Sequence, residues 1–147
     1  MTEGNGLNGT LPSELHALRS LEMMAFTRTN LWGTLPSTLG RLQNLREIRF
    51  RSTPLTGTIP VELWDLEHLE VLGLTNNYFF GTLASNIGTL TRLKVFEISN
   101  NYFTGSIPWT ISSPPILSYV DVSGNSFTGS IPSEMGTMQN LVRRVSF

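Results

Sequence analysis

The stretch NNYFTGSIP, Asn100 to Pro108, is repeated almost unchanged on both sides of itself. NNYFFGTLA begins at Asn76 and GNSFTGSIP begins at Gly124, so the three copies are evenly spaced. A single catalytic loop needs no copies, whereas a stacked repeat must close every coil in the same way. A 24-residue period therefore organises this sequence.

The period continues along the chain without a gap. With Leu18 as position 1, five complete repeats cover residues 18–137, a partial coil covers 1–17, and an incomplete last coil covers 138–147, all in one domain of 147 residues. Apolar residues fill positions 1, 4, 7, 9, 14, 18 and 22, with Pro114 as the exception. One coil cannot bury its own apolar side, so neighbouring coils are expected to stack.

Each part of the repeat has a structural interpretation. Positions 7 and 9 are apolar and alternate with exposed positions, which predicts a short strand with one buried face. Position 12 is Asn77, Asn101 and Asn125 in three coils, where a carboxamide can bond backbone groups as the chain leaves the sheet. Thr29 and Thr53 replace this Asn in two coils, so the ladder is expected to be weaker there.

The second half of the repeat predicts a turn and a short helix. Position 16 is always glycine, which indicates a positive φ or a close backbone approach. These glycines are Gly33, Gly57, Gly81, Gly105 and Gly129. After position 19, usually proline, apolar residues three apart suit a helical or 3₁₀ turn on the side opposite the strand.

The pattern L-x-x-L-x-L-x-x-N-x-L, followed by x-G-x-I-P, resembles plant-type leucine-rich repeats, as in receptor-like kinase and receptor-like protein ectodomains and polygalacturonase-inhibitor-like proteins. It departs from that pattern at Thr29, Thr53, Ala84 and Pro114. The resemblance implies an α/β repeat solenoid, a right-handed superhelix with a concave parallel β-sheet and convex short or 3₁₀ helices. It also implies that the concave and lateral surfaces bind proteins, peptides or small signalling molecules, and it favours an extracellular or cell-surface location.

Composition argues against several function classes. The net charge is −1, so the basic excess that nucleic-acid binding requires is absent. The chain has no cysteine, and neither a phosphate loop, a metal-ligand spacing nor a nucleophile motif occurs, so we expect no cofactor, no metal and no enzymatic activity. His16 and His68 fall on the predicted convex side, and WDLEHLE around His68 is interpreted as a solvated turn. The segment has no signal peptide or apolar span, so we expect no membrane contact by it, and the compartment stays open.

The two ends carry no capping motif. The last coil, MQNLVRRVSF, places Arg144 and Ser146 where apolar residues belong, and a shift by one residue would turn Val145 and Phe147 inward. We therefore expect a register shift or an incomplete coil there. Solenoids normally need polar capping repeats, so a segment of a larger receptor is a possibility, and uncapped ends would permit end-to-end stacking.

Candidate partner-binding residues are expected on the outward strand positions. These positions run from a basic end to an acidic end, which predicts a protein or peptide partner with a bipolar surface because charge arrangement sets docking direction. Charges placed only for solubility are the alternative. The residues are Arg28, Arg49 and Arg51 at the basic end, Thr75 in the middle, and Glu97 and Asp121 at the acidic end.

A tyrosine rim is predicted beside this face. Tyr78 and Tyr102 occupy position 13 of adjacent coils, with Asn100 next to them, and Tyr119 could extend the patch. Exposed Tyr is a common interface anchor, although neighbouring rings also stack to support a solenoid edge. The three tryptophans, Trp32, Trp64 and Trp109, share no repeat position and are interpreted as local packing.

The favoured function is a non-catalytic scaffold that binds a protein or peptide through its concave face. An inhibitor of a secreted hydrolase, engaging a basic active-site rim through Glu97 and Asp121, and a receptor-ectodomain fragment are alternatives. A weaker alternative is ice binding by the hydroxyl row at position 17, which also suits an ordinary exposed strand. That row is Thr10, Thr34, Thr58, Thr82, Ser106 and Ser130. Asn8 begins an Asn-Gly-Thr glycosylation acceptor, relevant if the chain is secreted.

Overall fold

The structure is a computed structural model that describes residues 6–141 and the backbone of residues 144–146. The chain winds into stacked coils, and a complete coil contributes a strand to one sheet, then strand residues to a second sheet, then a 3₁₀ helix. Thirteen strands lie within the described residues: β1 (Asn8–Gly9), β2 (Met23–Thr27), β3 (Asn30–Leu31), β4 (Gly33–Thr34), β5 (Glu47–Arg51), β6 (Leu55–Gly57), β7 (Val71–Gly73), β8 (Tyr78–Thr82), β9 (Val95–Glu97), β10 (Tyr102–Gly105), β11 (Tyr119–Asp121), β12 (Ser126–Phe127) and β13 (Arg144–Ser146).

The convex side is built of short 3₁₀ helices, as the spacing of apolar residues predicts. Six of them occur in the described part of the chain: Ser13–Ala17, Ser37–Arg41, Val61–Asp65, Ser85–Thr89, Trp109–Ser112 and Ser133–Thr137. Five begin directly after a proline and the fourth after Ala84, which keeps the same extended backbone, with φ −74° and ψ 145°. The substitution of Ala84 for proline therefore leaves the coil intact.

The concave sheet has six parallel strands in the order β13-β11-β9-β7-β5-β2, so consecutive coils lie side by side. From β2 to β11 each residue pairs with the one a full period later, as when Ile48 lies beside Leu72 and Leu72 beside Phe96. Because this register equals the sequence period, outward positions form straight rows across the sheet.

The last strand confirms the predicted register shift. Val120 pairs with Val145 and Tyr119 with Arg144, so β13 is displaced by one residue from the regular period. The inward placement predicted for Phe147 lies outside the described residues.

A second, lateral sheet runs beside the concave one, where the sequence indicated only an exposed strand next to the glycine. Five parallel strands lie in the order β12-β10-β8-β6-β4, and β1 and β3 form a separate pair. Partners in this sheet stand two residues short of a full period, so Thr34 lies beside Thr56 and Tyr102 beside Phe80. The lateral sheet is therefore sheared by two residues per coil relative to the sequence period.

The repeated glycine at position 16 meets both of the predicted requirements. Gly57 has φ +91°, and a Cβ placed on it would lie 2.8 Å from Cγ2 of Thr34 in the preceding coil. The same contact with the preceding threonine methyl recurs at Gly33, Gly81 and Gly105. The threonines of position 17 therefore pack against glycines of the next coil, which gives the hydroxyl row a structural role.

The core runs through the middle of the stack. Leucine, isoleucine and phenylalanine side chains of the inner coils are fully buried, and Phe26 stacks on Phe50 with ring centroids 5.6 Å apart. Pro114 is also buried in the place of a leucine. In contrast, Leu18 and Ile131 in the outer coils are 53% and 55% exposed, because no further coil covers them within the described residues.

The asparagine ladder bonds the backbone as predicted. The Nδ2 group of Asn101 donates to the carbonyls of Leu74, Ile98 and Ser99 at 2.8, 3.0 and 3.2 Å, and its Oδ1 accepts from the N–H of Phe79 at 3.0 Å. At Thr29 the corresponding hydroxyl accepts one long bond of 3.5 Å, from Leu31 N. The ladder is therefore weaker at Thr29, as predicted, whereas Thr53 donates to Asn77 Oδ1 at 2.6 Å and stays linked to the ladder.

Candidate functional site

The outward charges of the concave sheet are partly paired with each other. Arg49 and Glu97 lie two coils apart, and Gly73 between them has no side chain. A Cβ at Gly73 would stand 3.3 Å from Oε2 of Glu97. Through this gap Arg49 Nη1 approaches Glu97 Oε2 to 3.6 Å, and Arg49 Nε donates to Glu47 Oε1 at 2.5 Å. The predicted separation of a basic from an acidic end is therefore wrong for Arg49 and Glu97.

Thr75 is the second correction on this face. It was predicted to face a partner, but it is only 9% exposed, and its hydroxyl lies 3.3 Å from that of Ser99 in the next coil. It lines the floor of a depression of about 240 Å³, together with Gly73. Thr75 can therefore shape this depression but offers little surface of its own.

The charges still turned to solvent are fewer and farther apart than predicted. Arg28 and Arg51 are exposed in the first two complete coils. At the other end Asp121 is half-buried, and its Oδ1 accepts from the N–H and the hydroxyl of Ser123 at 3.2 and 2.6 Å. Tyr119 stands in the same strand and is also half-buried. With Glu97 paired, the acidic end rests on Asp121, which weakens the basis for the hydrolase-inhibitor alternative.

A ladder of alternating charges follows one edge of the concave sheet and was not anticipated from the sequence. Glu22, Arg46, Glu70 and Lys94 occupy position 5 of four successive coils. Glu70 Oε2 accepts from Lys94 Nζ at 2.5 Å and Glu70 Oε1 from Arg46 Nη1 at 3.1 Å, and Arg46 also approaches Glu22 at 3.8 Å. The hydrogen bond from Lys94, with the added contribution of Arg46, lowers the pKa of Glu70 below its usual value. The alternation of sign from one repeat to the next at position 5 was the available signal.

Two side chains of the WDLEHLE turn make contacts with other coils. Glu70 belongs to the charge ladder, and His68 Nδ1 lies 3.1 Å from the carbonyl of Gln43. His16 Nδ1 lies 2.6 Å from the carbonyl of Ser13. Across the described residues, no cluster of three or more His, Cys, Asp or Glu side chains is placed to hold a metal ion.

The rim groove follows the turns between the two sheets and has a volume of about 730 Å³. Its outward lining is formed by Asn30, Ser52, Asn76, Tyr78, Asn100 and Tyr102. The predicted ring contact is confirmed, because Tyr78 and Tyr102 lie nearly parallel with centroids 6.0 Å apart. Tyr119 lies in the concave sheet and does not line this groove.

Left-handed residues at position 11 shape the rim groove. Arg28, Ser52, Asn76 and Asn100 have φ between +52° and +56°, and Gly124 has φ +65°. This backbone turns the chain from the concave to the lateral sheet in each coil. Asparagine is enriched in the left-handed region, so the first Asn of each NN pair was a signal that the sequence offered.

Trp32, beside the lateral strands, and Trp109, at the start of a convex 3₁₀ helix, are exposed, contrary to the prediction of local packing. Trp32 is 56% exposed and Trp109 60%, so local packing holds only for Trp64, which is 3% exposed. Phe80 is 50% exposed in the lateral sheet and lies beside Tyr102. Position 15 is threonine in three other coils, so the break in that row at Phe80 was a usable signal.

Two further observations concern the surroundings of the chain. Asn8, the candidate glycosylation acceptor, is exposed in β1 at the first edge of the lateral strands. None of the helices in the described residues has the length and apolar character needed to cross a lipid bilayer.

Comparison with known proteins shows which proteins share this repeat and this fold. A sequence profile for the Leucine Rich Repeat matches residues 92–114 and 117–138. The structure superposes on the plant peptide hormone receptor RGFR1 in complex with RGF2, with a TM-score of 0.93 and 35% identity over 97% of this chain and 22% of that one. It also superposes on the ectodomain of the Arabidopsis membrane receptor kinase GASSHO1/SCHENGEN3 in complex with CASPARIAN STRIP INTEGRITY FACTOR 2, with a TM-score of 0.89 and 34% identity over 92% of this chain and 16% of that one.

A third similar structure is a plant ice-binding protein, with a TM-score of 0.83 and 29% identity over 89% of this chain and 43% of that one. No curated protein sequence matches the chain significantly. The chain thus spans about a fifth of the length of the two receptor structures, at 22% and 16%. It has the fold of the ectodomains of plant peptide-hormone receptors.

Proposed function

The chain belongs to the leucine-rich repeat family, in its plant type, and we propose that it is a non-catalytic recognition scaffold that binds a protein or peptide. The observation that carries the proposal is the position of the residues that break the repeat. Arg51 and Asp121 stand on the concave sheet, Arg28 lies in the turn that follows β2, and Tyr78 and Tyr102 line the adjoining rim groove. The similarity to a peptide hormone receptor in complex with RGF2 supports a peptide ligand.

The arrangement of these residues suits docking in one direction. Exposed arginines at one end and Asp121 at the other would orient a ligand of complementary charge. The paired Tyr rings, 52% and 57% exposed, offer a large contact area at low entropic cost. Arg49 and Glu97 form the wall of the Gly73 depression, where a ligand carboxylate would compete with Glu97 for the guanidinium of Arg49.

The proposal includes a location outside the cell. It is supported by the similarity to the ectodomain of a plant membrane receptor kinase and by the exposure of the Asn8 acceptor. The protein can be expressed in a secretory host and its intact mass measured before and after enzymatic deglycosylation. A glycan on Asn8 would support passage through a secretory pathway.

The test is selection of binders from a displayed peptide library, followed by calorimetric affinities for two charge-reversed variants. Arg51→Glu with Asp121→Lys reverses the concave charges, and Arg41→Glu with Glu62→Lys reverses exposed charges on the convex side. We expect the concave variant to lose affinity by about tenfold or more, whereas the convex variant stays within about twofold. Equal affinities of the concave variant and the unmodified protein, with Tyr102→Ala also unchanged, would remove the proposed site.

Ice binding is a second candidate because the lateral sheet brings hydroxyls together. Thr82 lies beside Thr104 and Thr104 beside Ser126 in the parallel lateral sheet, and a plant ice-binding protein has a similar fold. Against this, Trp32 and Phe80 interrupt the array, and the position-17 threonines are engaged by glycines. The test is thermal hysteresis of the purified protein. Ice binding is established if Thr104→Tyr abolishes the hysteresis and Thr91→Tyr, on an exposed turn, retains it. Absence of hysteresis in the unmodified protein would exclude ice binding.

A further inference from the structure

The rim groove differs in surface chemistry from the concave sheet beside it. None of the described residues that line the groove is charged, whereas Arg51 and Asp121 stand on the adjoining strands. The lining consists of carboxamides, hydroxyls, two Tyr rings and a proline. A ligand in this groove is therefore selected by ring stacking and hydrogen bonds, with little contribution from net charge.

The tyrosine stack has one end that no other ring covers. Tyr78 and Tyr102 lie parallel within 10°, and Pro54 occupies the same repeat position before them. The following coil has only Ser126 at that position, with the small Gly124 nearby. The face of Tyr102 turned away from Tyr78 is thus open to a flat ligand group. Aromatic faces carry partial negative charge and attract the polarised C–H groups of a sugar ring.

Two carboxamides point into the same space from a fixed backbone. Asn76 and Asn100 are exposed, and both have left-handed φ, of 56° and 55°. Their neighbours Asn77 and Asn101 are buried and bonded to backbone carbonyls of the ladder. A carboxamide supplies two donors and an acceptor, which matches adjacent hydroxyls that both donate and accept. Asn76 makes one long side-chain hydrogen bond, from Nδ2 to Ser52 Oγ at 3.5 Å, and Asn100 Oδ1 lies beside the backbone of Gly124. The exposed first Asn of each NN pair therefore keeps hydrogen-bonding capacity for a ligand.

The backbone around the groove offers no strand edge to a peptide. The N–H groups of Ser52, Asn76 and Asn100 donate to Thr75, Ser99 and Ser123 of the next coil at 3.0, 2.9 and 2.8 Å. An added peptide strand therefore finds these donors occupied, and β-augmentation is disfavoured. Recognition in the groove must come from side chains, repeated once per coil at about 4.8 Å. That spacing is close to the length of one pyranose unit in a β-linked chain.

We propose that the rim groove binds a neutral oligosaccharide, either free or carried on the protein partner. A glycan carried on a protein partner rests on the proposed function, whereas binding of a free oligosaccharide does not. Tyr102 would stack on one sugar ring, and Asn76 and Asn100 would hydrogen-bond to its hydroxyls and those of the neighbouring ring. The concave face would remain available to a polypeptide.

The test is an NMR titration of isotope-labelled protein with cellohexaose, chitohexaose and mannohexaose at millimolar concentration. We expect at least one sugar to shift the side-chain amide signals of Asn76 and Asn100, and Tyr102→Ala to weaken its binding by about tenfold or more. Trp109→Ala removes another exposed ring, outside the groove, and is expected to leave binding unchanged. Asn100→Asp keeps the side-chain shape and tolerance of left-handed φ but removes the donors, so it carries the test if Tyr102→Ala folds poorly.

A second arm distinguishes the sources of the sugar. The glycan belongs to the partner if three results coincide. Free sugars do not bind, and enzymatic removal of the glycans of a selected glycoprotein weakens its affinity for the protein. After this removal, Tyr102→Ala causes no further loss of affinity. The proposal is overturned if no sugar shifts the groove signals and deglycosylation leaves partner affinity unchanged. It is also overturned if a sugar-free peptide shifts those signals while no sugar, free or carried on a partner, does so, because that result assigns the groove to peptide. Charge reversal on the concave face would still weaken partner binding in that case. Failure of the oligosaccharide proposal is therefore distinguishable from failure of the proposed protein- or peptide-binding function.

Discussion

Gly57 shows how one residue answers two requirements of the stack. Its φ of +91° is strained for any side chain, and the methyl group of Thr34 occupies the space where a Cβ would be. Neither demand involves a ligand. The strict repetition of this glycine is therefore explained by closure of the coil, and its recurrence along the chain carries no information about a partner.

Gly57→Ala is expected to lower the free energy of unfolding by about 2 kcal/mol, from left-handed strain and the methyl contact together. Gly136→Ala is the matched control, because it lies in a 3₁₀ helix with nothing within 4 Å of the new Cβ. It is expected to be neutral or to stabilise by up to about 0.5 kcal/mol. Urea denaturation measures both. Equal effects of the two changes would contradict this explanation of the repeated glycine.

At the scale of elements, two ladders fasten one coil to the next. The buried asparagines bond the backbone where the chain leaves the concave sheet, and the charged ladder of Glu22, Arg46, Glu70 and Lys94 follows the sheet edge. The first ladder is shielded from water and the second is not. Their contributions to stability are therefore expected to differ in size and in sensitivity to salt.

Asn101→Ala removes the carboxamide contacts to the carbonyls of Leu74, Ile98 and Ser99 and leaves the N–H of buried Phe79 without its Asn101 acceptor. We expect a loss of about 3 kcal/mol in the free energy of unfolding. Asn86→Ala, at an exposed convex position, is expected to cost less than about 0.5 kcal/mol. Chemical denaturation measures the free energy of unfolding of both variants. If Asn101→Ala costs no more than Asn86→Ala, the asparagine ladder does not stabilise the turns.

Glu70→Gln tests the charged ladder through pH. Because the pKa of Glu70 is lowered in the folded protein, its contribution is present above the unfolded value of about 4.3 and is lost as pH falls through the folded value. At pH 7 the variant is expected to be less stable by about 0.5 kcal/mol, since the pair is partly exposed. The difference should shrink with added salt and vanish in acid. A difference that persists unchanged in acid would rule out an ionic origin.

The elements also show what the sequence can and cannot predict. The concave strands, the 3₁₀ helices and the Asn ladder follow from the period, because each depends on positions within one coil and its neighbour. The shear of the lateral sheet does not follow, since it depends on left-handed turns at residues such as Ser52 and Asn100. The pairing of Arg49 with Glu97 joins coils that are not adjacent, and it needs the gap at Gly73.

At the scale of the whole molecule, a stack of nearly identical coils separates structure from recognition. Each coil contacts mainly its neighbours, so stability is distributed along the stack and the repeated positions are used up by packing. The positions that vary face the concave sheet, the rim groove and the lateral sheet. Tyr102 and Asn100 lie at such positions, whereas Asn101, Phe103 and Gly105 in the same stretch belong to the frame. This separation locates the candidate site even though no partner is identified.

The most direct test of this account is amide hydrogen exchange of the protein with and without a ligand from the peptide-library selection. Bound ligand is expected to slow exchange in the concave strands β5, β7, β9 and β11 and in the turns at residues 76–78 and 100–102. The convex helices Ser37–Arg41 and Ser85–Thr89 should be unchanged. Protection confined to the convex helices, with none on the concave strands or the rim groove, would contradict the central claim that the varying positions of these surfaces form the recognition site.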